Sequence, residues 1–194
     1  EEFVSKVFCN LLDILSVNMR LAEMLTRRQK HHSVVEYIGD IFAAMIQEFD
    51  PYVKYGANQA SARIRIVSER SSNAVFDMFV ADTERKVISR KLELNGYLTK
   101  PTTRLARYPL LFEQLLKYTP DDNVDKTVLP RVIQHIQRLL SRVNDATGRS
   151  ENRIQIGFLS KQLVFKPQDM VDLRLDDEDR ELVFKSSLKK RGTQ

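Results

Sequence analysis

Apolar residues recur every three or four positions along most of the chain, which is the period of an amphipathic α-helix. One such stripe runs from Phe3 to about Leu25 and predicts the first helix. Ser33 and Glu36 have the S-x-x-E spacing of a capping box, and a second apolar stripe follows them. A second helix is therefore expected to begin at about Ser33.

The patterns are weaker in the middle of the chain. Asp50-Pro51 is expected to interrupt the second helix, and Gly56 is a candidate left-handed stop. In residues 58–72 the alternating RIRIV suits a strand and its flanks suit a helix, and we favour the helix. Asn73 is a candidate N-cap for the next helix. No breaker separates that helix from the stretch LNGYLTKPTTRLARYPLLFEQLLKYTP, so we expect it to continue into this stretch.

The stretch LNGYLTKPTTRLARYPLLFEQLLKYTP carries Pro101 within a helical stripe of apolar residues. Three basic residues lie on another face of the same predicted helix. A helix that continued through Pro101 should bend, at a cost of about 3 kcal/mol. Lys100, Arg104 and Arg107 stand at i, i+4 and i+7, and Leu111 falls near them as an exception. By periodicity alone these bases are a solvated helix face, because that is the usual fate of charges at this spacing.

The last third of the chain changes in texture. An apolar stripe over residues 128–143 predicts another helix, with Gly148 as a stop or bend. After about Leu159, short pieces rich in Val, Leu and Phe are separated by polar groups, which is typical of strands. We therefore expect a helical unit over residues 1–159 and an incomplete β-containing unit over residues 160–194.

Composition narrows the functional classes only a little. The formal charge of +5, with a pI near 9.3, favours an acidic partner such as a protein patch, a phosphoinositide or nucleic acid. The single cysteine, Cys9, excludes an internal disulfide and a multi-thiolate metal site. The adjacent His31 and His32 lack ligands at metal-binding spacing. No catalytic residue, metal or cofactor is predicted.

Three stretches carry a family resemblance. YLTKPTTRLARYPLLFEQLLKYT resembles the signature block of Dbl-homology (DH) domains, the exchange factors of Rho-family GTPases. VFCNLLDILSVNMRLAEML is similar to the second block of that family. QLVFKPQDMVDLRLDDEDRELVFKSSLKKRG resembles the start of a pleckstrin-homology (PH) domain, and the details look most like fungal Rho exchange factors. The first block of the family is expected to precede Phe3, so residues 1–159 resemble a DH domain without that block.

The resemblance implies an all-α fold, an elongated DH-type helical bundle with a short β-containing start of a PH domain. It also implies docking on both switch regions of a Rho-family small GTPase, which stabilises the nucleotide-free state without covalent chemistry or a cofactor. The alternatives are a helical nucleic-acid-binding module that uses RRQKHH and the Lys100 face, and a non-catalytic helical scaffold. If the chain is an exchange factor, we expect no nucleic-acid partner.

The resemblance also assigns residues. Lys100 is the first candidate for an ionic contact with the second switch, and Pro101 shapes the helix that holds it. Counting 37 positions from Lys100 reaches Gln137, where the family has a polar contact residue. Arg104 and Arg107 are further candidates, unless they bond within the bundle. Arg138 completes the predicted GTPase-binding set.

Two further basic clusters have lower-ranked assignments. The first could contribute to GTPase selectivity, with a solvated face as the favoured alternative; it comprises Arg85, Lys86, Arg90 and Lys91. The second stands where a PH domain often meets phosphoinositides; it comprises Lys189, Lys190 and Arg191. The expected location is cytoplasmic, with peripheral recruitment to the plasma membrane.

Overall fold

The structure is a computed structural model that describes residues 1–166 and 172–187. Up to Gln162 the regular secondary structure is helical, as the sequence predicts for residues 1–159. The α-helices are α1 (Glu2–Phe8), α2 (Leu11–His31), α3 (Gly39–Met45), α4 (Pro51–Ser72), α5 (Ala74–Arg85), α6 (Leu94–Leu98), α7 (Lys100–Tyr118) and α8 (Asp125–Gln162). Short 3₁₀ segments cover Ile46–Phe49 and Val87–Ser89.

The predicted first helix is two helices, separated at Cys9 and Asn10. Cys9 has a φ of 50°, a left-handed backbone conformation that a continuous helix does not permit. Asn10 is buried, and its Nδ2 donates a hydrogen bond to the carbonyl oxygen of Pro51 at 3.0 Å. This contact with the start of α4 is a tertiary interaction, which an apolar period cannot reveal.

The predicted helix start at Ser33 is wrong, because α3 begins at Gly39. The buried Asp125 caps α3 from the first turn of α8: its carboxylate accepts the backbone N–H groups of Ile38 and Gly39, each at 2.8 Å. A Cβ on Gly39 would lie 2.5 Å from Asp125 Oδ1, so this close approach requires glycine. A residue 86 positions away thus replaces the local capping box.

Residues 58–72 are helical as favoured, but the boundaries predicted around them are not observed. Pro51 begins α4, where its missing N–H has no intrahelical partner to lose. Gly56 lies inside α4 and is buried; a Cβ there would lie 2.6 Å from a Val143 methyl carbon. Gly56 therefore permits close packing of α4 against α8 and does not end the helix.

Asn73 caps α5 as predicted: its side-chain oxygen accepts the N–H of Phe76 at 3.1 Å. The prediction that this helix continues into the proline-bearing stretch is wrong, because α5 ends at Arg85. Arg90 and Lys91 follow with φ values of 47° and 57°. Two successive left-handed residues reverse the chain before α6.

The core lies between α2, α3, α4, α7 and α8, with α8 packed along α3, α4 and α7. Aromatic rings fill its centre: the Phe42 ring lies edge-on to Tyr108 and Phe112, with centroids 5.5 and 4.6 Å apart. The largest fully buried side chains are those of Tyr52, Phe49, Met45, Leu105, Leu129, Ile136 and Val7.

The C-terminal region departs from the prediction. Helix α8 continues through Gly148, where a Cβ would have open space, and ends at Gln162 rather than at about Leu159. No strand forms in residues 163–166 or 172–187, where strands were expected. Instead, the Leu182 backbone pairs with the Asn152 side chain of α8 through two hydrogen bonds of 3.0 Å.

None of the helices in the described residues combines the length and the apolar character needed to cross a bilayer.

Candidate functional site: the exposed face of α7

The proline-bearing stretch forms two helices. Helix α6 ends at Leu98, and α7 begins at Lys100 with Pro101 in its first turn. A proline in the first turn lacks an N–H that would have no intrahelical partner. The predicted single helix through Pro101 is therefore wrong, because two helices meet at Thr99. The proline inside α7 is Pro109, which is buried.

Helix α4 fixes the joint between α6 and α7. The Tyr55 hydroxyl donates to the Leu98 carbonyl oxygen at 2.8 Å, and Gln59 Nε2 donates to Leu98 O at 3.2 Å and to Thr102 Oγ1 at 3.0 Å. Burial raises the pKa of Tyr55 to about 12. The sequence reading missed both residues, because it had no signal for this contact.

Lys100 lies at the start of α7 with its side chain exposed. Among the described residues its backbone carbonyl accepts from Thr103 Oγ1, and its ammonium group has neither a hydrogen bond nor an ion pair. A cation in the first turn is disfavoured by the helix dipole, by about 0.3–1 kcal/mol. Lys100 therefore does not stabilise its own helix, which leaves its charge available to a partner.

Arg104 and Arg107 are both exposed, but their surroundings differ. The Arg104 guanidinium lies over the Tyr108 ring, 5.1 Å from the centroid, so it covers a core residue as well as carrying charge. Within the described residues Arg107 forms no ion pair, and neither arginine bonds Glu113 or a backbone carbonyl. The alternative of bonding inside the bundle is thus not observed for either side chain.

Apolar side chains accompany the bases on α7. Leu110, Leu111 and Tyr118 are 63%, 49% and 77% exposed, and Leu115 is partly exposed. By helical geometry Leu111, Arg107 and Tyr118 lie within about 40° of one another, on a face roughly 110° from the buried residues of α7. Such a mixture of apolar and basic groups on one rigid face is typical of a protein interface. The only signal in the sequence was Leu111, the exception near the bases.

Gln137 and Arg138 lie on α8, which packs against α7. Both side chains are exposed. Consecutive helical residues point about 100° apart, so Gln137 flanks the buried stripe that contains Ile136, whereas Arg138 points away from the core. The two residues therefore occupy different faces of α8.

The predicted selectivity cluster lies apart from α7, at the chain reversal between α5 and α6. Arg85 ends α5, Arg90 and Lys91 follow the 3₁₀ turn, and all four side chains are exposed. Lys86 pairs with Asp82 at 3.2 Å. The predicted phosphoinositide cluster of Lys189, Lys190 and Arg191 lies outside the described residues.

The alternative nucleic-acid surface is partly neutralised. Arg28, from RRQKHH, pairs with Asp40 at 2.6 Å and donates to the Tyr37 carbonyl, and the Arg28 guanidinium lowers the pKa of the Asp40 carboxyl. Across the part of the chain that the structure describes, no group of three or more His, Cys, Asp or Glu side chains could hold a metal ion.

The chain belongs to the family of RhoGEF domains, whose model matches residues 1–144. It is 50% identical over 192 residues to Rho1 guanine nucleotide exchange factor 1 of Schizosaccharomyces pombe, covering 99% of this chain and 14% of that protein. It is 31% identical over 193 residues to RHO1 GDP-GTP exchange protein 2 of Saccharomyces cerevisiae, covering 98% of this chain and 14% of that protein. The chain thus spans about a seventh of these relatives.

Solved structures share the fold. The DH/PH fragment of PDZ-RhoGEF, crystallised with human RhoA, superposes with a TM-score of 0.78 at 22% identity, over 87% of this chain and 51% of that chain. The N-terminally truncated linker-DH/PH domains of p115-RhoGEF give 0.76 at 18% identity, over 93% of this chain and 56% of that chain. The all-α DH fold predicted from the sequence is confirmed.

Proposed function

We propose that this chain acts as a guanine nucleotide exchange factor for a Rho-family GTPase, and that its preferred partner is a GTPase of the Rho type. The observation that carries the proposal is Lys100, exposed and without an ionic partner among the described residues, in the first turn of a helix whose dipole disfavours it. Membership of the RhoGEF domain family and similarity to proteins named as Rho1 exchange factors support the choice of partner.

The proposed mechanism is differential binding. A protein that binds the nucleotide-free GTPase more tightly than the loaded form must weaken nucleotide affinity by the same factor. Weakening by about 10⁴ requires about 5.5 kcal/mol of preference. No bond is made or broken, so rigid presentation of the docking face is what the chain contributes.

The proposed contacts with the GTPase come from the exposed face of α7 and from one residue of α8. Lys100 forms an ionic contact with the acidic neighbourhood of the second switch, and Leu111 supplies apolar contact beside it. Gln137 adds an amide that both donates and accepts hydrogen bonds. Arg107 adds a second charge, and Arg104 a third that remains stacked on its ring.

Pro101 and Arg138 have smaller proposed roles. Pro101 lies in the first turn of α7 and, together with the bond from Tyr55 to Leu98, fixes the direction in which Lys100 leaves the bundle. Arg138 points away from the core, so its contact requires a GTPase that reaches around α8.

The proposed division of the chain is a DH domain over residues 1–159 and the linker and first strands of a PH domain over 160–194. Helix α8 runs three residues past this boundary, to Gln162. Lys189, Lys190 and Arg191 are proposed to contact phosphoinositides and to recruit the protein peripherally to the plasma membrane.

The test is the release of a fluorescent guanine nucleotide from purified RhoA, Rac and Cdc42-type GTPases. The chain is used with a first signature block restored before Glu1, because the family resemblance implies that the exchange surface includes it. Accelerated release from at least one GTPase is expected, with RhoA responding most. No acceleration for any of them would refute the proposal.

A further inference from the structure

The sequence RKVISRK, residues 85–91, forms a loop between α5 and α6 with two aliphatic side chains at its tip. Val87 is 94% exposed and Ile88 is 84% exposed, whereas the next residue, Ser89, is buried. Isolated apolar residues on a surface are ordinary, but two adjacent ones at a protruding tip leave almost all of their surface in water.

The loop is held in this shape. The Ser89 hydroxyl donates to the Thr83 carbonyl oxygen at 2.5 Å, and the Arg90 N–H donates to the Val87 carbonyl oxygen at 3.0 Å. Arg90 and Lys91 then adopt left-handed backbone conformations. Because the anchored Ser89 points inwards, Val87 and Ile88 are fixed outwards.

Four cations surround the aliphatic tip. Arg85, Lys86, Arg90 and Lys91 are all exposed, and residues 85–91 contain no acid. The nearest acid in sequence, Glu84, is turned inwards: its carboxylate pairs with Arg70 at 3.4 Å and accepts the Leu94 N–H at 2.9 Å. Lys86 is paired with Asp82 at 3.2 Å, so the net positive charge beside the apolar tip comes from Arg85, Arg90 and Lys91.

Helix α5 carries further exposed apolar side chains. Val75, Met78 and Phe79, at i, i+3 and i+4, share one helix face and are 79%, 73% and 65% exposed. Phe79 also lines an apolar groove of about 380 Å³ between α1 and α5, together with Phe3. Val75, Met78 and Phe79 thus form an exposed apolar strip on α5, and the exposed Asp82, which pairs with Lys86, lies between this strip and the tip.

We infer that the RKVISRK loop and the exposed face of α5 dock on an anionic lipid bilayer. Val87 and Ile88 enter the boundary between head groups and acyl chains, while the four cations contact anionic head groups. A lipid surface accepts protruding aliphatic side chains without a matching pocket, and its negative charge complements the basic residues beside the tip. Each Lys or Arg that reaches such a surface contributes about fivefold in affinity.

This inference is independent of exchange activity, and it differs from the proposed phosphoinositide contact of Lys189, Lys190 and Arg191. It adds a membrane contact on the helical domain itself. It also gives the cluster of Arg85, Lys86, Arg90 and Lys91 a different partner from the GTPase predicted from the sequence.

The experiment is co-sedimentation of the 194-residue chain with vesicles of phosphatidylcholine alone or with added phosphatidylserine, without any GTPase. The test variant is Val87→Ser with Ile88→Ser, and its matched control is Val34→Ser, which alters an exposed valine away from the strip. All proteins also carry Lys189→Glu, Lys190→Glu and Arg191→Glu, so that binding through the C-terminal cluster does not contribute.

Binding to the anionic vesicles is expected, with little binding to neutral ones. The Val87→Ser, Ile88→Ser variant should bind at least about tenfold more weakly with an unchanged melting temperature, and Arg90→Glu with Lys91→Glu should lose a similar factor. Val34→Ser should bind normally. Equal binding by the Val87→Ser, Ile88→Ser variant and the unaltered loop, or no preference for anionic vesicles, would overturn the inference.

Discussion

The two faces of α7 differ in burial. On the inner face Leu105, Tyr108 and Phe112 are 0%, 3% and 3% exposed and pack in the aromatic centre of the core. On the outer face Leu111 is 49% exposed, and Lys100 has no ionic partner among the described residues. The neighbours Leu111 and Phe112 therefore differ in burial although both are large and apolar. Hydrophobicity explains the inner face, whereas the outer face stays exposed in the described part of the chain and is the face that we propose binds a partner.

The comparison predicts that inner-face variants lose the fold and outer-face variants lose binding. Phe112→Ala should show the largest effect, a loss of about 3–5 kcal/mol in the free energy of unfolding, because it leaves a cavity beside Phe42. Urea denaturation of the 194-residue chain measures this loss. A loss below about 1 kcal/mol would contradict the assignment of Phe112 to the core.

Tyr55→Phe tests the support beneath the outer face. Loss of the hydroxyl that bonds Leu98 should cost about 1–1.5 kcal/mol near neutral pH. The folded-state pKa of Tyr55, about 12, lies above its unfolded value of about 10. Its contribution is therefore complete below pH ~10 and declines as the pH rises towards 12, so the stability difference from Tyr55→Phe should narrow there.

Urea titrations at neutral pH and near pH 11 measure that narrowing. Tyr52, whose pKa burial also raises, is present in both proteins, so its titration cancels in the comparison. A stability difference that stays constant across this range would show that the Tyr55 hydroxyl does not titrate as described.

Leu111→Ala should leave the melting temperature almost unchanged and weaken binding to nucleotide-free RhoA by roughly five- to tenfold, as expected for a partly exposed apolar contact at an interface. Val67→Ala, an exposed valine on α4, is the matched control and should bind normally. Calorimetric titration distinguishes the two. Normal binding by Leu111→Ala would remove the outer face of α7 from the proposed interface.

The smallest predicted effect is a difference in stability between the variants Arg104→Ala and Arg107→Ala. Arg104→Ala should lower stability by about 0.5–1 kcal/mol, because its guanidinium stacks on the Tyr108 ring. Arg107→Ala should leave stability within about 0.5 kcal/mol of the parent, because Arg107 has no such contact. Equal losses for the two variants would show that the stacking contributes nothing.

The comparison also explains what the sequence could predict. Apolar periodicity predicts the inner faces of α2, α7 and α8, since burial repeats with the helical turn. The Asn73 cap was predictable because its hydrogen bond to Phe76 spans three residues. The start of α3 was not, because its cap is Asp125 and not the nearby Ser33. Local patterns fail wherever a distant residue supplies the decisive bond.

In the candidate site, too, the sequence predicts what depends on local residues and misses what depends on distant ones. The family resemblance identified Lys100, and the structure leaves its side chain exposed as a docking role requires. The sequence did not reveal that a new helix begins next to Pro101, because that break depends on Tyr55 and Gln59 holding the joint from another helix. Neither the periodicity nor the signature block contains that contact.

The central claim is that Lys100 serves a partner and not the fold. It is tested by the rate of fluorescent GDP release from RhoA, using the chain with a first signature block restored, Lys100→Ala, and the exposed control Lys54→Ala on α4. Lys100→Ala should slow GDP release at least about tenfold, which corresponds to about 1.4 kcal/mol of transition-state stabilisation. Its melting temperature should equal that of the unaltered chain. Lys54→Ala should keep full activity. Undiminished release by Lys100→Ala, or parallel losses of activity and melting temperature, would contradict the account.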